Sequence, residues 1–142
     1  MKDRMRLHAS AVSYNGQGVL ILGGSGSGKS SLALHLMAFG AQLIADDQTQ
    51  LARAGDDVEL SAPDHIAGLI EARGVGLLRA EAVELAPLRL VLDLDQLETK
   101  RLPDIHHVAY LGKSFPCLHK VDNPTWPFAV LQYLKSGRKD PE

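Results

Sequence analysis

The sequence has little cysteine, few aromatic residues and almost no net charge. The single cysteine, Cys117, excludes an internal disulfide, which fits the reducing cytosol; in its apolar context we interpret it as a core residue rather than a nucleophile. Aromatic residues make up only 5% of the chain, which leaves little for stacking on nucleic-acid bases or for a membrane belt. The formal net charge of −2 argues against a nucleic-acid-binding protein, because such proteins normally carry a basic excess.

Long apolar runs are also missing. No stretch approaches the ~20 apolar residues that a membrane-spanning helix needs, and the basic residues near the start are not followed by the apolar stretch of a signal peptide. We therefore expect a cytoplasmic protein without a membrane partner. The 142 residues, 45% hydrophobic and 23% charged, predict one globular domain over residues 1–142.

A glycine-rich motif is the most informative feature that is present. Residues 23–30 read Gly-Gly-Ser-Gly-Ser-Gly-Lys-Ser, a complete G-x-x-x-x-G-K-[ST] phosphate-binding loop. It follows an apolar run over 19–22 that predicts a buried strand, and it leads into a predicted helix over 30–39. The glycines let backbone N–H groups turn toward an anion, Lys29 adds a mobile positive charge, and the Ser30 hydroxyl can complete a magnesium shell. The residues predicted to bind a nucleotide are Gly23, Gly24, Ser25, Gly26, Ser27, Gly28, Lys29, Ser30 and Ser31.

The rest of the chain predicts an α/β domain with a mixed sheet and β-hairpins. Asn15-Gly16 between two apolar runs is a strong hairpin signal. The further predicted elements are a strand over 42–45, a hairpin over 49–54 and 58–62, a loop-rich stretch over 64–79, a strand over 88–94, exposed loops over 96–104 and 110–116, and a helix over 127–136.

Two acidic stretches compete for the other roles that phosphoryl transfer requires, a metal ligand and a base. Asp46 and Asp47 end the strand directly after the loop helix, whereas Asp93 and Asp95 lie at the end of the later apolar strand. Both positions are allowed, because ligands of open α/β sheets lie beyond the carboxyl ends of strands. Two adjacent acids arise by accident less often than one acid at a strand end, which favours Asp46 and Asp47 and keeps Asp93 as the alternative.

These stretches together resemble the catalytic domain of the HPr kinase/phosphorylase family. Residues 43–47, Leu-Ile-Ala-Asp-Asp, are similar to the family's Leu-Val-Ala-Asp-Asp run, and His8 heads an H-x7-G stretch like the one that precedes the family's loop. Residues 71–76, Glu-Ala-Arg-Gly-Val-Gly, resemble its Glu-Ile-Arg-Gly-Leu-Gly signature, and residues 100–103 weakly match its Asp-Arg-Leu-Gly loop. The resemblance covers about residues 6 to 103.

The resemblance implies a P-loop fold like the C-terminal domain of HPr kinase. It also implies ATP and Mg²⁺ as cofactors and a serine of an HPr-type phosphocarrier protein as the acceptor, with a regulatory role in a phosphotransferase system. By this resemblance, Lys29 contacts the β- and γ-phosphates, and Ser30 and Glu71 bind Mg²⁺. Asp47 acts as the base, Asp46 shapes the pKa of that base, and His8 tunes its charge balance. Arg101 contacts the transferred phosphoryl group. Arg73 is a second candidate for the arginine.

Two departures from the family pattern limit these expectations. Family members usually carry an additional N-terminal domain, so we expect a short, catalytic-domain-only form that resembles alphaproteobacterial members. The family's Pro-x-Arg-Pro-Gly-Arg-Asn stretch, linked to the reverse reaction, corresponds here to residues 121–128, Val-Asp-Asn-Pro-Thr-Trp-Pro-Phe. Loss of the guanidinium groups should weaken inorganic phosphate binding, so we expect kinase rather than phosphorylase activity. Whether the chain forms a homo-oligomer stays open.

Other functions remain as alternatives. The chain could be a non-catalytic ATP-binding sensor that docks on a regulatory partner, or a small-molecule kinase related to phosphoenolpyruvate carboxykinase. The set His8, Asp46, Asp47 and Glu71 favours catalysis over sensing. The histidines predict no metal site: His106 and His107 are adjacent and would point to opposite faces of a strand. The histidines without zinc-type spacing are His35, His65 and His119.

Overall fold

The computed structural model describes residues 3–140, which form two α-helices and eleven strands around a mixed sheet. The strands are β1 (Arg4–Leu7), β2 (Ala9–Tyr14), β3 (Gln17–Leu22), β4 (Gln42–Ala45), β5 (Thr49–Ala54), β6 (Asp57–Ser61), β7 (Leu69–Ala72), β8 (Gly76–Arg79), β9 (Leu85–Leu97), β10 (His106–Tyr110) and β11 (Lys113–Lys120). The helices are α1 (Lys29–Ala38) and α2 (Trp126–Ser136), and a 3₁₀ turn spans Asp64–Ile66.

The long strand β9 organises the sheet. Its first residues pair antiparallel with β6, and its later residues pair in parallel with β3 on one side and with β11 on the other. The main path of neighbouring strands is β1-β5-β6-β9-β3-β2-β4, with the β10–β11 hairpin added beside β9. Residues 90–92 of this strand are a continuous apolar run because both faces of the strand are covered there.

Two hydrophobic cores lie on opposite faces of the central strands. In one core, Leu92 packs with Leu36 of α1 and Val130 of α2. In the other core, Val91 packs with residues of the β5–β6 hairpin, which folds back over the sheet. Adjacent residues of a strand point to opposite faces, so β9 contributes to both cores. Helix α1 is thereby held against the sheet, and the loop before it lies at the carboxyl end of β3.

The mixed α/β fold class predicted from the sequence is confirmed, and so are the helix after the glycine-rich motif, the strand over 42–45 and the last helix. The stretch 64–79 was predicted as loop-rich, but residues 69–79 of it form the β7–β8 hairpin. Gly74 (φ 82) lies in the tight turn between the two strands. The prediction of an exposed loop over 110–116 is wrong: only the turn at 111–112 is a loop, and Phe115 of β11 is buried. None of the helices in the described residues is long and apolar enough to cross a membrane.

Candidate active site

The glycine-rich loop joins β3 to α1 and is closely packed. A Cβ atom on Gly23 would lie 2.2 Å from Ser27 Oγ, so only glycine fits there. Gly28 adopts the left-handed conformation (φ 102) immediately before the first helical residue, Lys29. The Gly24 N–H donates to both carboxylate oxygens of Asp95 at 3.1 Å. The loop is therefore fixed by internal packing and by an acid at the end of β9.

Lys29 lies beneath this loop. Its side chain is buried, and its ammonium group donates hydrogen bonds to the carbonyl oxygens of Gly23, at 2.8 Å, and Gly24, at 3.1 Å. The positive charge is held where the loop and the N-terminus of α1 meet, which is the position at which a helix favours an anion.

Asp46 connects three elements at the end of β4. The residue is 6% exposed, and one of its carboxylate oxygens accepts hydrogen bonds from the hydroxyls of Ser30, at 2.6 Å, and Ser10, at 2.8 Å. The other oxygen accepts the backbone N–H of Glu71 at 3.0 Å. The carboxylate thus joins the start of α1, strand β2 and the β7–β8 hairpin, and its orientation is determined by all three.

Asp47 is more open than its neighbour. His8 lies in the break between β1 and β2, and its Nε2–H donates to Asp47 Oδ1 at 2.7 Å. The two side chains are 49% and 67% exposed, respectively. The His8–Asp47 hydrogen bond therefore leaves the Asp47 carboxylate open to solvent.

A cavity of about 530 Å³ collects most of the residues that the sequence analysis selected. They are His8, Ser25, Gly26, Gly28, Lys29, Ser30, Ser31, Asp46, Asp47 and Glu71. Gly23, Gly24 and Ser27 belong to the same loop but do not line the cavity. Arg101 does not line it either; it lies exposed in the segment between β9 and β10, whereas the second candidate, Arg73, does line the cavity.

Sequence reasoning missed one residue that supports the site, Ser10, and gave another, Asp95, a different role. Ser10 is a fully buried hydroxyl in β2, and besides bonding Asp46 it accepts the Asp47 N–H at 3.3 Å. Asp95 was considered only as an alternative acid; the structure gives it the contact with Gly24 instead of a place in the cavity.

The two remaining expectations about single residues concern Cys117 and Asp93. Burial raises the pKa of the Cys117 thiol to about 11, which disfavours the reactive thiolate and supports its assignment to the core. The Asp93 carboxylate accepts the backbone N–H of Asp95 at 3.0 Å and does not line the cavity.

Comparison with known proteins shows the family of this chain. Residues 1–100 match the family model described as the HPr Serine kinase C-terminal domain. The chain belongs to this family. The HPr kinase/phosphorylase of Cupriavidus metallidurans is 38% identical over 121 residues, covering 77% of this chain and 38% of that protein. The one from Caldanaerobacter subterraneus subsp. tengcongensis is 43% identical over 79 residues, covering 55% and 26%.

A solved structure extends the likeness to the whole fold. The structure titled Hpr(Ser) kinase/phosphatase from Coxiella burnetii matches with a TM-score of 0.80 and 23% identity, over 92% of this chain and 88% of that chain. At this identity the match shows the fold. The chain spans little more than a third of the length of the Cupriavidus relative and about a quarter of the Caldanaerobacter one.

Proposed function

We propose that this chain is an ATP- and Mg²⁺-dependent kinase that phosphorylates a serine of a small HPr-type phosphocarrier protein. The observation that carries the proposal is the open His8–Asp47 pair in the same cavity as Lys29 and Ser30. A protein that only binds ATP would not need an accessible carboxylate such as Asp47, oriented by the His8 imidazole, beside its phosphate loop. The relatives' names supply the identity of the acceptor.

The residues present fit a nucleoside triphosphate. The loop offers backbone N–H groups at the N-terminus of α1, and Lys29 and Arg73 add two positive charges to the cavity. These groups match the charge of the phosphates. The exposed position of Asp47 matches a protein acceptor, which brings its own surface to the site.

The same cavity fits Mg²⁺. The Ser30 hydroxyl and the carboxylates of Asp46 and Glu71 line it, and all three provide the oxygen ligands that Mg²⁺ prefers. Ser30 and Glu71 are the proposed ligands, and Asp46 positions them through its bonds to the Ser30 hydroxyl and the Glu71 backbone. When bound, Mg²⁺ would neutralise charge on the phosphate oxygens.

In the proposed transfer, Asp47 acts as the base. The acceptor serine oxygen forms a bond to the γ-phosphorus, the bond from that phosphorus to the β–γ bridging oxygen breaks, and ADP leaves. The Asp47 carboxylate takes the serine proton as the new bond forms. His8 holds the carboxylate in place, and Lys29 with an arginine stabilises charge on the transferred oxygens. Arg73 is the better placed arginine within the cavity; Arg101 would have to approach with its segment.

We further propose that the reverse, phosphate-consuming reaction is weak or absent. The segment 121–128 contains an acid and no arginine, so it offers no guanidinium group to an incoming inorganic phosphate.

The test is transfer of label from γ-labelled ATP, with Mg²⁺, to the HPr-type phosphocarriers of the source organism. We expect acid-stable label on a serine, and we expect Lys29→Ala to remove both the labelling and most of the ATP affinity. If no carrier is labelled while calorimetry shows tight ATP binding, the kinase proposal is wrong and the sensor function takes its place.

A further inference from the structure

A second group of ligand-type side chains lies outside the candidate active site. Glu98 directly follows β9, His106 begins β10, and His119 lies near the end of β11. One potential ligand atom from each of them lies within 4.8 Å of the other two. The His106 Nε2–H donates to a Glu98 carboxylate oxygen at 2.8 Å, and the rings of His106 and His119 stack with centroids 3.8 Å apart.

The strand register brings these residues together. His106 pairs with Cys117, and His119 lies two positions beyond Cys117 on the same strand, so both imidazoles project from one face of the hairpin. Glu98 is positioned by its backbone N–H, which donates to the Lys120 carbonyl at 2.9 Å. Two strands and the residue that follows a third therefore supply the group, and no sequence spacing reveals it.

The chemistry of the group differs from that of the kinase site. Two imidazoles and one carboxylate suit Zn²⁺ and similar transition-metal ions, whereas Mg²⁺ prefers oxygen ligands alone. All three residues are partly exposed, so the two stacked rings can tilt until their nitrogens converge on one ion.

We propose that Glu98, His106 and His119 bind one divalent transition-metal ion, with Zn²⁺ as the best match, and that a coordination position remains for water. Glu98 and His106 flank the segment 99–105, which carries Arg101. A bound ion joins these ends to each other and to β11. It therefore fixes the base of this segment independently of the nucleotide site.

The test uses the untagged chain of 142 residues after chelator treatment, titrated with Co²⁺ as a visible-spectrum probe and with Zn²⁺ in competition. We expect one equivalent of Co²⁺ to give the intense bands of a four- or five-coordinate site, and Zn²⁺ but not Mg²⁺ to abolish them. His106→Gln and His119→Gln should each weaken binding about tenfold or more. The matched control is His107→Gln, since His107 is exposed on the other face of β10.

A second readout follows the segment itself. Trypsin can cleave after Lys100 and Arg101, and Zn²⁺ should slow that cleavage in the parent chain and in His107→Gln but not in His119→Gln. Glu98→Gln and the histidine variants are first checked for an unchanged circular dichroism spectrum. If a histidine variant fails to fold, Glu98→Gln is measured in its place. The proposal is overturned if no Co²⁺ binds, if His107→Gln weakens binding as much as His106→Gln does, or if His8→Gln removes the binding.

Discussion

Asp47 illustrates what a single residue contributes at this site. Its φ of 71 places it in the left-handed region, which is uncommon for residues other than glycine, although aspartate and asparagine tolerate it best. Bonds on both sides maintain this conformation: the Ala9 N–H donates to the Asp47 carbonyl at 3.1 Å, and Ser10 accepts the Asp47 N–H. The adjacent acids were visible in the sequence. Their different surroundings were not, because these depend on contacts with a strand some 36 residues away.

Gly23 gives a prediction at the same scale. Gly23→Ala should lower the free energy of unfolding by about 1–3 kcal/mol, because the added methyl group would displace Ser27. Gly24→Ala is the matched control: its Cβ atom would meet nothing closer than 3.9 Å, so we expect a change within about 0.5 kcal/mol. Urea denaturation of both variants measures the difference. Equal losses would contradict the packing argument.

At the scale of elements, the sequence predicted the structure well wherever a single local pattern, such as an apolar run or a turn motif, dominates a segment. The apolar run before the loop, the helix after it and the Asn-Gly turn are all present in the fold. The β10–β11 hairpin was missed because its strands are only half buried and polar residues interrupt the alternation. For the same reason the Glu98, His106 and His119 group could not be recognised: it exists only once the strand register is known.

Strand β9 gives the prediction for an element. Leu92→Ala should lower the free energy of unfolding by about 2–5 kcal/mol, since Leu92 is 0% exposed between the sheet and the helices. Leu97→Ala, on the same strand but 64% exposed, should change it by no more than about 0.5 kcal/mol. Chemical denaturation compares the two variants. A similar loss in both would mean that the end of β9 is covered in solution.

At the scale of the whole molecule, the fold unites residues that are far apart in the sequence. His8 precedes β2, Lys29 begins α1, Asp46 and Asp47 follow β4, and Glu71 lies in β7, yet all of them line one cavity. Their types and order allowed the sequence to predict this set. The choice between Arg73 and Arg101 could not be predicted in the same way, because it depends on how the β7–β8 hairpin and the segment 99–105 are placed.

The most direct test of the account is the Asp47→Asn variant, measured for ATP binding and for phosphoryl transfer to the carrier protein. Asparagine tolerates the left-handed backbone and keeps an oxygen for the His8 hydrogen bond, so the change removes mainly the ability to take a proton. We expect ATP affinity to stay within about threefold, while kcat falls by about 100-fold or more. Asp93→Asn, outside the cavity, should keep near-parental rates. A near-parental rate in Asp47→Asn, above all with a loss in Asp93→Asn, would contradict the assignment of Asp47 as the base.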